Sequence, residues 1–307
     1  MRDVLLADGA DEKATSPPRE AGCAQRLAII IPTFNRRNIT QACVSSLSLN
    51  SNLRKKIFIC DSNSTDGTRE TFINNPDISV INVGDDCWWT GAVNRGIEVA
   101  LREGFEFALV MNDDIDVPTH LIDSMLEKAR QNPGKIISPA QRTKQGVFLG
   151  MNYSGIFKSP AIVWAGDRNE QVNVESSNGC CLLIPMETFH KIGLFDEKHC
   201  PHLYGDTEFQ VRAWKSGLGT RAFSDIVIDQ HESTDYYRRL RLGRLFTYNG
   251  SPVHLSSYLA FGRSLFHGWC RFIFLGIGYH RRYIRSLIKT VYILLRRAMA
   301  SALNEFL

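Results

Sequence analysis

Short apolar runs alternate with longer, more polar stretches through the first half of the chain. The runs are rich in β-branched residues and occupy residues 27–31, 56–60, 78–82 and 107–111. Each run has the length and composition of a buried strand. The stretches between and after them are long enough for helices, which we place at 37–50, 66–74, 91–103 and 118–131. This alternation predicts an α/β fold with a mostly parallel sheet flanked by helices.

The second half of the chain has a less regular pattern. Apolar runs indicate further strands at 135–139, 160–165, 179–184 and 222–228. Helices are predicted at 186–192 and 206–216. Near the end of the chain, apolar positions recur about every 3.6 residues at 281–298, which favours an amphipathic helix.

Composition and charge divide the chain into parts. Hydrophobic residues make up 44% of the 307 positions, which is enough for a substantial core and excludes wholesale disorder. Residues 1–234 carry 24 Lys and Arg against 30 Asp and Glu, whereas residues 235–307 carry 12 against 2. We therefore expect a mobile polar tail at 1–25, an α/β domain at 26–234 and a basic amphipathic helical region at 235–307. Such a basic region indicates an anionic partner, such as nucleic acid, a membrane surface or a phosphorylated lipid.

Cysteine spacing and the lack of long apolar stretches favour a cytoplasmic protein. The eight cysteines include no C-x-x-C pair and no cysteine and histidine spacing suited to zinc, so we expect reduced thiols. Near the N-terminus only four apolar residues follow one another, fewer than the roughly seven that a secretory signal needs. No later stretch reaches the roughly 18 apolar residues of a membrane span.

Polar residues follow three of the four predicted strands in the first half. They form the segments Pro32-Thr-Phe-Asn35, Asp61-Ser-Asn-Ser-Thr-Asp-Gly-Thr68 and Asn112-Asp-Asp114. In an open parallel sheet, ligands bind beyond the carboxyl ends of the strands. We therefore expect the three segments to border one crevice.

The acidic side chains of these segments are candidates for cation and nucleotide binding. Asp113 and Asp114 stand together at a strand end, where Mg²⁺ or Mn²⁺ would relieve their mutual repulsion. A solvated turn that caps the following helix is an equally good explanation of this pair. Asp61 can accept a hydrogen bond from a base N–H or a ribose hydroxyl, as strand-end acids do in nucleotide sites.

Three further segments offer candidates that also have structural explanations. The glycines of Trp88-Trp-Thr-Gly-Ala-Val-Asn-Arg-Gly96 permit close approach of a ligand or a neighbouring strand, and its tryptophans suit either a core or a sugar site. Asp206 and Glu208 begin a predicted helix, where the helix dipole favours negative charge, and a carboxylate there could also be a general base. His231 is either structural or an additional cation ligand.

Four ordered motifs together resemble the family-two glycosyltransferases of the GT-A fold, most closely their rhamnosyltransferase-like branch. The motifs are Ile31-Pro-Thr-Phe-Asn-Arg36; Asp61-Ser-Asn-Ser-Thr-Asp-Gly-Thr68; Trp89-Thr-Gly-Ala-Val-Asn-Arg-Gly96 with Asn112-Asp-Asp114; and Phe195-Asp-Glu197 with Gly205-Asp-Thr-Glu208. The resemblance covers about residues 27–235. It implies binding of a nucleotide diphospho-sugar.

The resemblance also implies how the donor is bound. Pro32, Thr33 and Asp61 would hold the nucleotide base and ribose. Asp114 would coordinate the metal, with Asp113 close to the ribose or sugar. The remaining residues that we assign to the donor site are Asn35, Trp89, Gly91, Asn94 and Glu208.

The predicted base is Asp206, and His231 would touch the metal or the diphosphate. Two positions depart from the family pattern. Gly205 stands where the family commonly has Glu, and Asn112 stands first in a triplet that is usually acidic. The first departure leaves the choice between Asp206 and Glu208 as the base open.

The implied reaction is an inverting transfer of a sugar from a UDP- or dTDP-type donor to a hydroxyl of a glycan or lipid-linked acceptor in polysaccharide biosynthesis. The region 235–307 would dock on the inner face of a membrane, or else cover the acceptor side or form an oligomer interface. We expect no nucleic-acid partner, because the sequence has no nucleic-acid-binding motif. The alternative is a non-catalytic nucleotide-sugar-binding partner protein, which the acids at 61, 113, 114 and 206 argue against.

Overall fold

The computed structural model describes residues 26–48, 55–85, 87–154, 159–166, 170–231, 240–266, 273 and 276–306. The predicted tail at 1–25 and the predicted boundary at 234 lie outside these residues.

A mixed sheet forms the centre of the molecule. Its strands are β1 (Leu27–Thr33), β2 (Lys55–Asp61), β3 (Ile78–Asn82), β4 (Phe107–Met111), β5 (Ile136–Thr143), β6 (Gly146–Ser154), β7 (Ser159–Trp164), β8 (Gln171–Val174), β9 (Cys181–Pro185) and β10 (Thr220–Ile228). The strand order is β3-β2-β1-β4-β9-β5-β10-β8, and β6 joins β5 to β7 outside this path. Along this path only β9 and β8 run against the other strands. The predicted mostly parallel α/β sheet is therefore confirmed.

Helices flank this sheet. They are α1 (Arg37–Ser48), α2 (Thr68–Phe72), α3 (Trp89–Arg102), α4 (Leu121–Gln131), α5 (Met186–Ile192), α6 (Gly205–Lys215), α7 (Leu255–Phe266) and α8 (Ile277–Phe306), with a 3₁₀ turn at Leu242–Arg244. The sequence pattern did not predict β6 or β8, and it gave α7 no bounds of its own within the helical region expected at 235–307.

The core lies on both faces of the sheet. In β1, Leu27 and Ile29 pack on the side of α1 and α4, whereas Ala28 and Ile30 pack on the side of α3. Successive side chains of a strand point to opposite faces, so a strand covered on both faces is apolar throughout. Helix α3 packs closely against β1 at Gly96, which has no Cβ. An added Cβ there would lie only 2.6 Å from the Ile30 side chain.

The strand directions create one polar edge. The parallel strands β1, β2 and β4 end there, in Thr33, Asp61 and Met111. Strand β9 is antiparallel and begins at the same edge, with Cys181 opposite Met111. The residues just before β9 are thereby placed beside those just after β4, and the Asn112 amide donates to the Cys180 carbonyl at 2.9 Å.

The C-terminal helices pack onto this domain. Phe261 of α7 shares a buried cluster with Tyr153 of β6 and Val211 of α6. Leu294 of α8 packs with Leu245 in a further buried cluster. The C-terminal region is thus attached through apolar contacts next to β6 and α6.

Candidate active site

A cavity of about 440 Å³ opens at the carboxyl ends of β1 and β4, and we call it the strand-end cavity. Its lining includes Pro32, Arg36, Trp89, Asn112, Asp113, Asp114, Asn178, Gly179, His202, Tyr204, Asp206 and Gln230. The structure therefore brings five predicted site residues to one space: Pro32, Trp89, Asp113, Asp114 and Asp206.

An arginine bridges the two neighbouring acids at the end of β4. Arg36 places Nη1 3.3 Å from Asp113 Oδ1 and Nη2 3.2 Å from Asp114 Oδ2. The Thr40 hydroxyl donates to Asp113 at 2.7 Å, and the Gln230 amide donates to Asp114 at 3.1 Å. Burial raises the pKa of Asp113, an effect that Arg36 and Thr40 oppose. Sequence reasoning did not select Arg36, although it ends the first motif.

The end of β1 joins two of the predicted segments. Thr33 pairs in register with Asp61 of β2, and its hydroxyl lies 3.4 Å from Asp113 on the other side. Asp61 and Asp113 are therefore about two strand spacings, or roughly 10 Å, apart. Asp61 is 2% exposed and accepts from the Ser64 amide at 3.3 Å. In the described part of the chain it forms no ion pair, so this buried carboxylate retains capacity for a ligand donor.

Asn35 connects the first motif to the second rather than lining the strand-end cavity. Its backbone is left-handed, with φ of 51°. Its backbone amide donates to the Ser64 hydroxyl at 2.8 Å, and its side-chain oxygen accepts from the Thr65 backbone amide at 2.8 Å. A short amide side chain suits this conformation because asparagine tolerates the left-handed region. Asn35 thus positions the loop that follows Asp61.

The residues that open α3 divide between the cavity and the supporting structure. Trp89 lines the cavity, and its indole N–H donates to Asn112 at 2.9 Å. Asn94 is buried, where its side chain donates to the Phe195 carbonyl at 2.9 Å and accepts from the Phe195 amide at 3.1 Å. Gly91 is also buried, and a Cβ there would lie 3.6 Å from the Glu197 carboxylate. The structure therefore gives Asn94 and Gly91 a contact with the loop before α6, away from the cavity lining.

Asp206, in the first turn of α6, lines both the strand-end cavity and a second cavity of about 280 Å³. Burial raises the pKa of Asp206, partly opposed by hydrogen bonds from Thr207 and from the Gly179 amide. A Cβ at Gly179 would lie 2.2 Å from Asp206 Oδ2, so only glycine permits this approach. Within the described residues, no basic side chain forms an ion pair with Asp206.

Glu208 has a different environment, although it lies only two residues further along α6. It is 6% exposed and forms an ion pair with Arg212 at 3.0 Å. The Ser264 hydroxyl of α7 donates to the same carboxylate at 3.2 Å. Glu208 lines neither cavity. Asp206 therefore faces both cavities, whereas the Glu208 carboxylate is held by Arg212 and Ser264.

His231 lies beside Asp114 through its backbone, but its ring faces another acid. The His231 amide donates to the Asp114 carbonyl at 2.9 Å, whereas the ring forms an ion pair with Asp116. The hydrogen bond that the ring donates to the Asp116 carboxylate raises the pKa of His231. The ring borders a neighbouring cavity of about 320 Å³ that Asp114 also lines, so it does not enter the strand-end cavity. In the residues that the structure describes, no three His, Cys, Asp or Glu side chains form a preformed metal cluster.

Two residues of the loop before α6 complete the cavity, and sequence reasoning missed both. Burial lowers the pKa of His202 to about 4, so its imidazole is neutral at pH 7. Tyr204 has a φ of 66°, a strained backbone conformation for an aromatic residue, and its ring stacks on Phe261 at 5.3 Å. Strain of this kind is concentrated at functional sites. The local pattern carries no signal for either residue beyond their position just before Asp206.

Comparison with known proteins shows which sequences this chain resembles. Residues 28–193 match the sequence model of a family described as Glycosyl transferase family 2. The low-salt glycan biosynthesis hexosyltransferase Agl10 of Haloferax volcanii is 25% identical over 167 residues, which are 52% of this chain and 54% of that protein. The N-acetylglucosaminyl-diphospho-decaprenol L-rhamnosyltransferase of Mycobacterium tuberculosis is 24% identical over 223 residues, which are 62% of this chain and 71% of that protein. The chain thus spans about half the length of the first relative and more of the second.

A solved structure shares the fold. The crystal structure of GalNAc-T7 with UDP, GalNAc and Mn²⁺ superposes with a TM-score of 0.63 at 11% identity. The match covers 83% of this chain and 50% of that chain. At this identity the likeness shows the fold alone, and it confirms the predicted GT-A architecture.

Proposed function

The chain belongs to glycosyl transferase family 2, as its motifs predicted, and we propose that it transfers a sugar from a nucleotide diphospho-sugar to an acceptor hydroxyl with inversion. The observation that carries this proposal is Asp206, an acid with a raised pKa and no ion-pair partner in the described chain, which borders two adjoining cavities. The strand-end cavity would hold the donor, and the second cavity would admit the acceptor.

The donor would lie along the carboxyl ends of the strands. Asp61 and Thr33, paired in register outside the cavity lining, would contact the base or ribose if the donor extends beyond the cavity along the strand ends. Pro32 and Trp89 form part of the cavity wall. Arg36, which forms ion pairs with Asp113 and Asp114, also lines the cavity, where its N–H groups would bind a diphosphate. This arrangement agrees with the rule that ligands of open α/β sheets bind at the strand ends.

The donor set around Asp114 fits a divalent cation that is held jointly with a substrate. Both oxygens of Asp114 already accept hydrogen bonds, from Gln230 and from Arg36. Protein side chains therefore do not form a complete cage, but Mg²⁺ in particular is commonly bound by one or two carboxylates together with substrate phosphates. Bound in this way, Mg²⁺ or Mn²⁺ would neutralise charge that develops on the leaving diphosphate. Asp114 is the residue that would hold it.

Asp206 would act as the general base. Its carboxylate would accept the proton of the acceptor hydroxyl as the hydroxyl oxygen attacks the anomeric carbon on the face opposite the diphosphate. The C–O bond to the diphosphate breaks as the new glycosidic bond forms, and the diphosphate leaves with the electron pair. Burial raises the pKa of Asp206, and a raised pKa makes its carboxylate a better proton acceptor.

Two measurements test this function. A panel of nucleotide sugars, each with and without Mg²⁺ or Mn²⁺, should identify a donor that raises the thermal stability of the protein. With that donor, Asp206→Asn should reduce turnover by about 10²–10⁴-fold, because general base catalysis contributes that much. Nucleotide binding should stay nearly unchanged in this variant. Stabilisation by nucleotide sugars without transfer to any acceptor would instead support a non-catalytic binding protein.

The exposed face of α8 favours a membrane as the site of action. Apolar side chains project into solvent along it, namely Ile277, Ile284, Ile288, Tyr292, Leu295 and Met299. At 3.6 residues per turn, these six occupy about a quarter of the helix circumference. The exposed basic residues Arg285, Lys289 and Arg296 lie on one side of this stripe, and exposed Arg281 lies within it. An apolar stripe beside basic residues is typical of helices that lie on anionic membranes. Within the described residues, no helix is long and apolar enough to cross a bilayer.

Sedimentation with lipid vesicles tests the membrane proposal. The chain should pellet with vesicles of phosphatidylcholine and phosphatidylglycerol more than with phosphatidylcholine alone, because each basic residue contributes about 1 kcal/mol. Replacing Ile284 and Ile288 together by Ser should reduce pelleting. The control is Ile162→Ser on β7, which is similarly exposed but lies outside α8. Equal pelleting of all variants would contradict the membrane proposal. A loss of dimers in the variant with Ile284 and Ile288 replaced would indicate an oligomer interface instead.

A further inference from the structure

The second cavity bordered by Asp206 has a cation at its edge. We call it the Arg282 cavity, because Arg282 of α8 contributes to its lining. The cavity shares Leu203, Tyr204 and Asp206 with the strand-end cavity, so an acceptor in one would meet a donor in the other at Asp206. Arg282 itself lines only the second cavity.

We propose that Arg282 binds the phosphate or diphosphate group through which the acceptor sugar is attached to a lipid. The acceptor sugar would then extend from Arg282 towards Asp206 within the same cavity. This inference rests on the proposed function, because it assigns the acceptor of that reaction.

The charges of the cavity support an anionic ligand at one end. Among the described residues, Arg282 forms no ion pair with a carboxylate, and its Nη1 lies 4.0 Å from the Met151 sulfur. Tyr153 stays protonated at neutral pH, because burial raises its pKa to about 12. Arg282 therefore has donors free for an anion, and the planar guanidinium fork matches phosphate oxygens. Asp206 would repel the same anion, which orients the phosphate towards Arg282 and the neutral sugar towards the base.

The position of Arg282 on α8 favours a lipid as the source of the phosphate. Arg282 projects about a third of a turn away from the exposed apolar stripe. If that stripe enters a membrane surface, Arg282 lies beside the membrane and not within its apolar interior. A phosphate at the end of a lipid chain would approach from this direction. The relative from Mycobacterium tuberculosis is named for an acceptor with a diphosphate between sugar and lipid, which is the chemistry inferred here.

Binding of farnesyl diphosphate tests this inference without any transfer reaction. Titration by calorimetry, in the presence of excess UDP to fill the strand-end cavity, should show binding to the unaltered chain. Arg282→Gln should weaken binding at least about 10-fold, because a hydrogen bond to a charged group contributes roughly 1.5–3 kcal/mol. Arg297→Gln is the matched control, since Arg297 is exposed on the same helix, lies away from the apolar stripe and its basic side, and does not line the cavity. It should change the affinity less than twofold.

The source of the phosphate is tested with two further probes. Farnesol lacks the diphosphate and should bind weakly both to the unaltered chain and to Arg282→Gln. Inorganic pyrophosphate lacks the lipid and should bind more weakly than farnesyl diphosphate. Equal affinity of Arg282→Gln and the unaltered chain would overturn the inference. Pyrophosphate that binds as tightly as farnesyl diphosphate would overturn the assignment to a lipid.

The binding test and the transfer test can give opposite results, so failure of the Arg282 assignment is distinguishable from failure of the proposed function. If Asp206→Asn abolishes transfer but Arg282→Gln changes neither farnesyl diphosphate binding nor the KM for a lipid-linked acceptor, the proposed function stands and the Arg282 assignment falls. If farnesyl diphosphate binding depends on Arg282 but no sugar is transferred, the site stands and the enzymatic proposal falls. The expected result is a raised KM for a phosphate-bearing acceptor in Arg282→Gln, with kcat nearly unchanged.

Discussion

Gly179→Ala perturbs Asp206 without altering any functional group of the site. The new Cβ would lie 2.2 Å from Asp206 Oδ2, 2.4 Å from its Cβ and 2.6 Å from its Cγ. Ordinary van der Waals contact begins at about 3.4 Å, so the two residues must separate by about 1 Å. A displacement of 1 Å at a catalytic group can reduce the rate about 10²-fold. Crowding of this kind also lowers the free energy of unfolding, by about 1–3 kcal/mol.

The assay compares turnover, donor binding and unfolding in Gly179→Ala, in a control variant, in Asp206→Asn and in the double variant of Gly179 and Asp206. In Gly179→Ala, kcat should fall about 10²-fold while the protein remains folded. Gly243→Ala is the control, because nothing lies within 4 Å of a Cβ at that position. Gly179→Ala should have little further effect on kcat in an Asp206→Asn background, since both changes act on one group.

Two results would refute this reasoning. Full turnover in folded Gly179→Ala would mean that the close approach to Asp206 is not needed for the reaction. A further 10²-fold loss on adding Gly179→Ala to Asp206→Asn would mean that the crowding acts on the donor or on another residue of the strand-end cavity.

Three further predictions concern the ionisable groups near the site. Because the pKa of Asp206 is raised, the acid limb of the kcat/KM profile should lie above the range of an ordinary aspartate, and activity should fall as pH decreases through that pKa; an acid limb near pH 4 or below would contradict this. Glu208→Gln should lower the free energy of unfolding by about 1–3 kcal/mol in urea, because Arg212 keeps its charge but loses an ionised partner, while kcat stays near its original value; a loss of kcat as large as that in Asp206→Asn would reopen the choice of base. Burial lowers the pKa of His202 from 6.5 to about 4, so between these values the unfolded chain binds more protons than the folded chain. His202 should therefore lower the free energy of unfolding by at most about 3 kcal/mol as pH decreases from 7 to 4. In urea titrations over this range, His202→Gln should show a smaller decrease.

Most secondary structure of the α/β domain could be predicted from local sequence. The apolar runs at 27–31, 56–60, 78–82 and 107–111 coincide with β1 to β4, because strands buried on both faces leave a continuous apolar signal. Two strands escaped prediction. β6 forms hairpins with β5 and β7, its neighbours in the chain, whereas β8 has only four residues and pairs with β10, which is distant in the chain.

The candidate site was only partly visible in the sequence. The polar segments at the strand ends could be recognised, because parallel strands place their carboxyl ends at one edge. The contribution of Asn178 and Gly179 could not, because it depends on β9 running antiparallel next to β4. Arg282 is more than a hundred residues from Met151 in the chain, and only the packing of α8 places the two at one cavity.

Asp206 and Glu208 show most directly what each level of structure determines. The sequence alone established that two acids begin a helix, and it left both as possible bases. Residues two positions apart on an α-helix point in directions roughly 200° apart. The packing of α6 against its neighbours turns Asp206 towards Gly179 and the two cavities, and Glu208 towards Arg212 and Ser264. The rotation of a helix about its own axis depends on long-range packing, so the tertiary structure alone decided which carboxylate borders the two cavities.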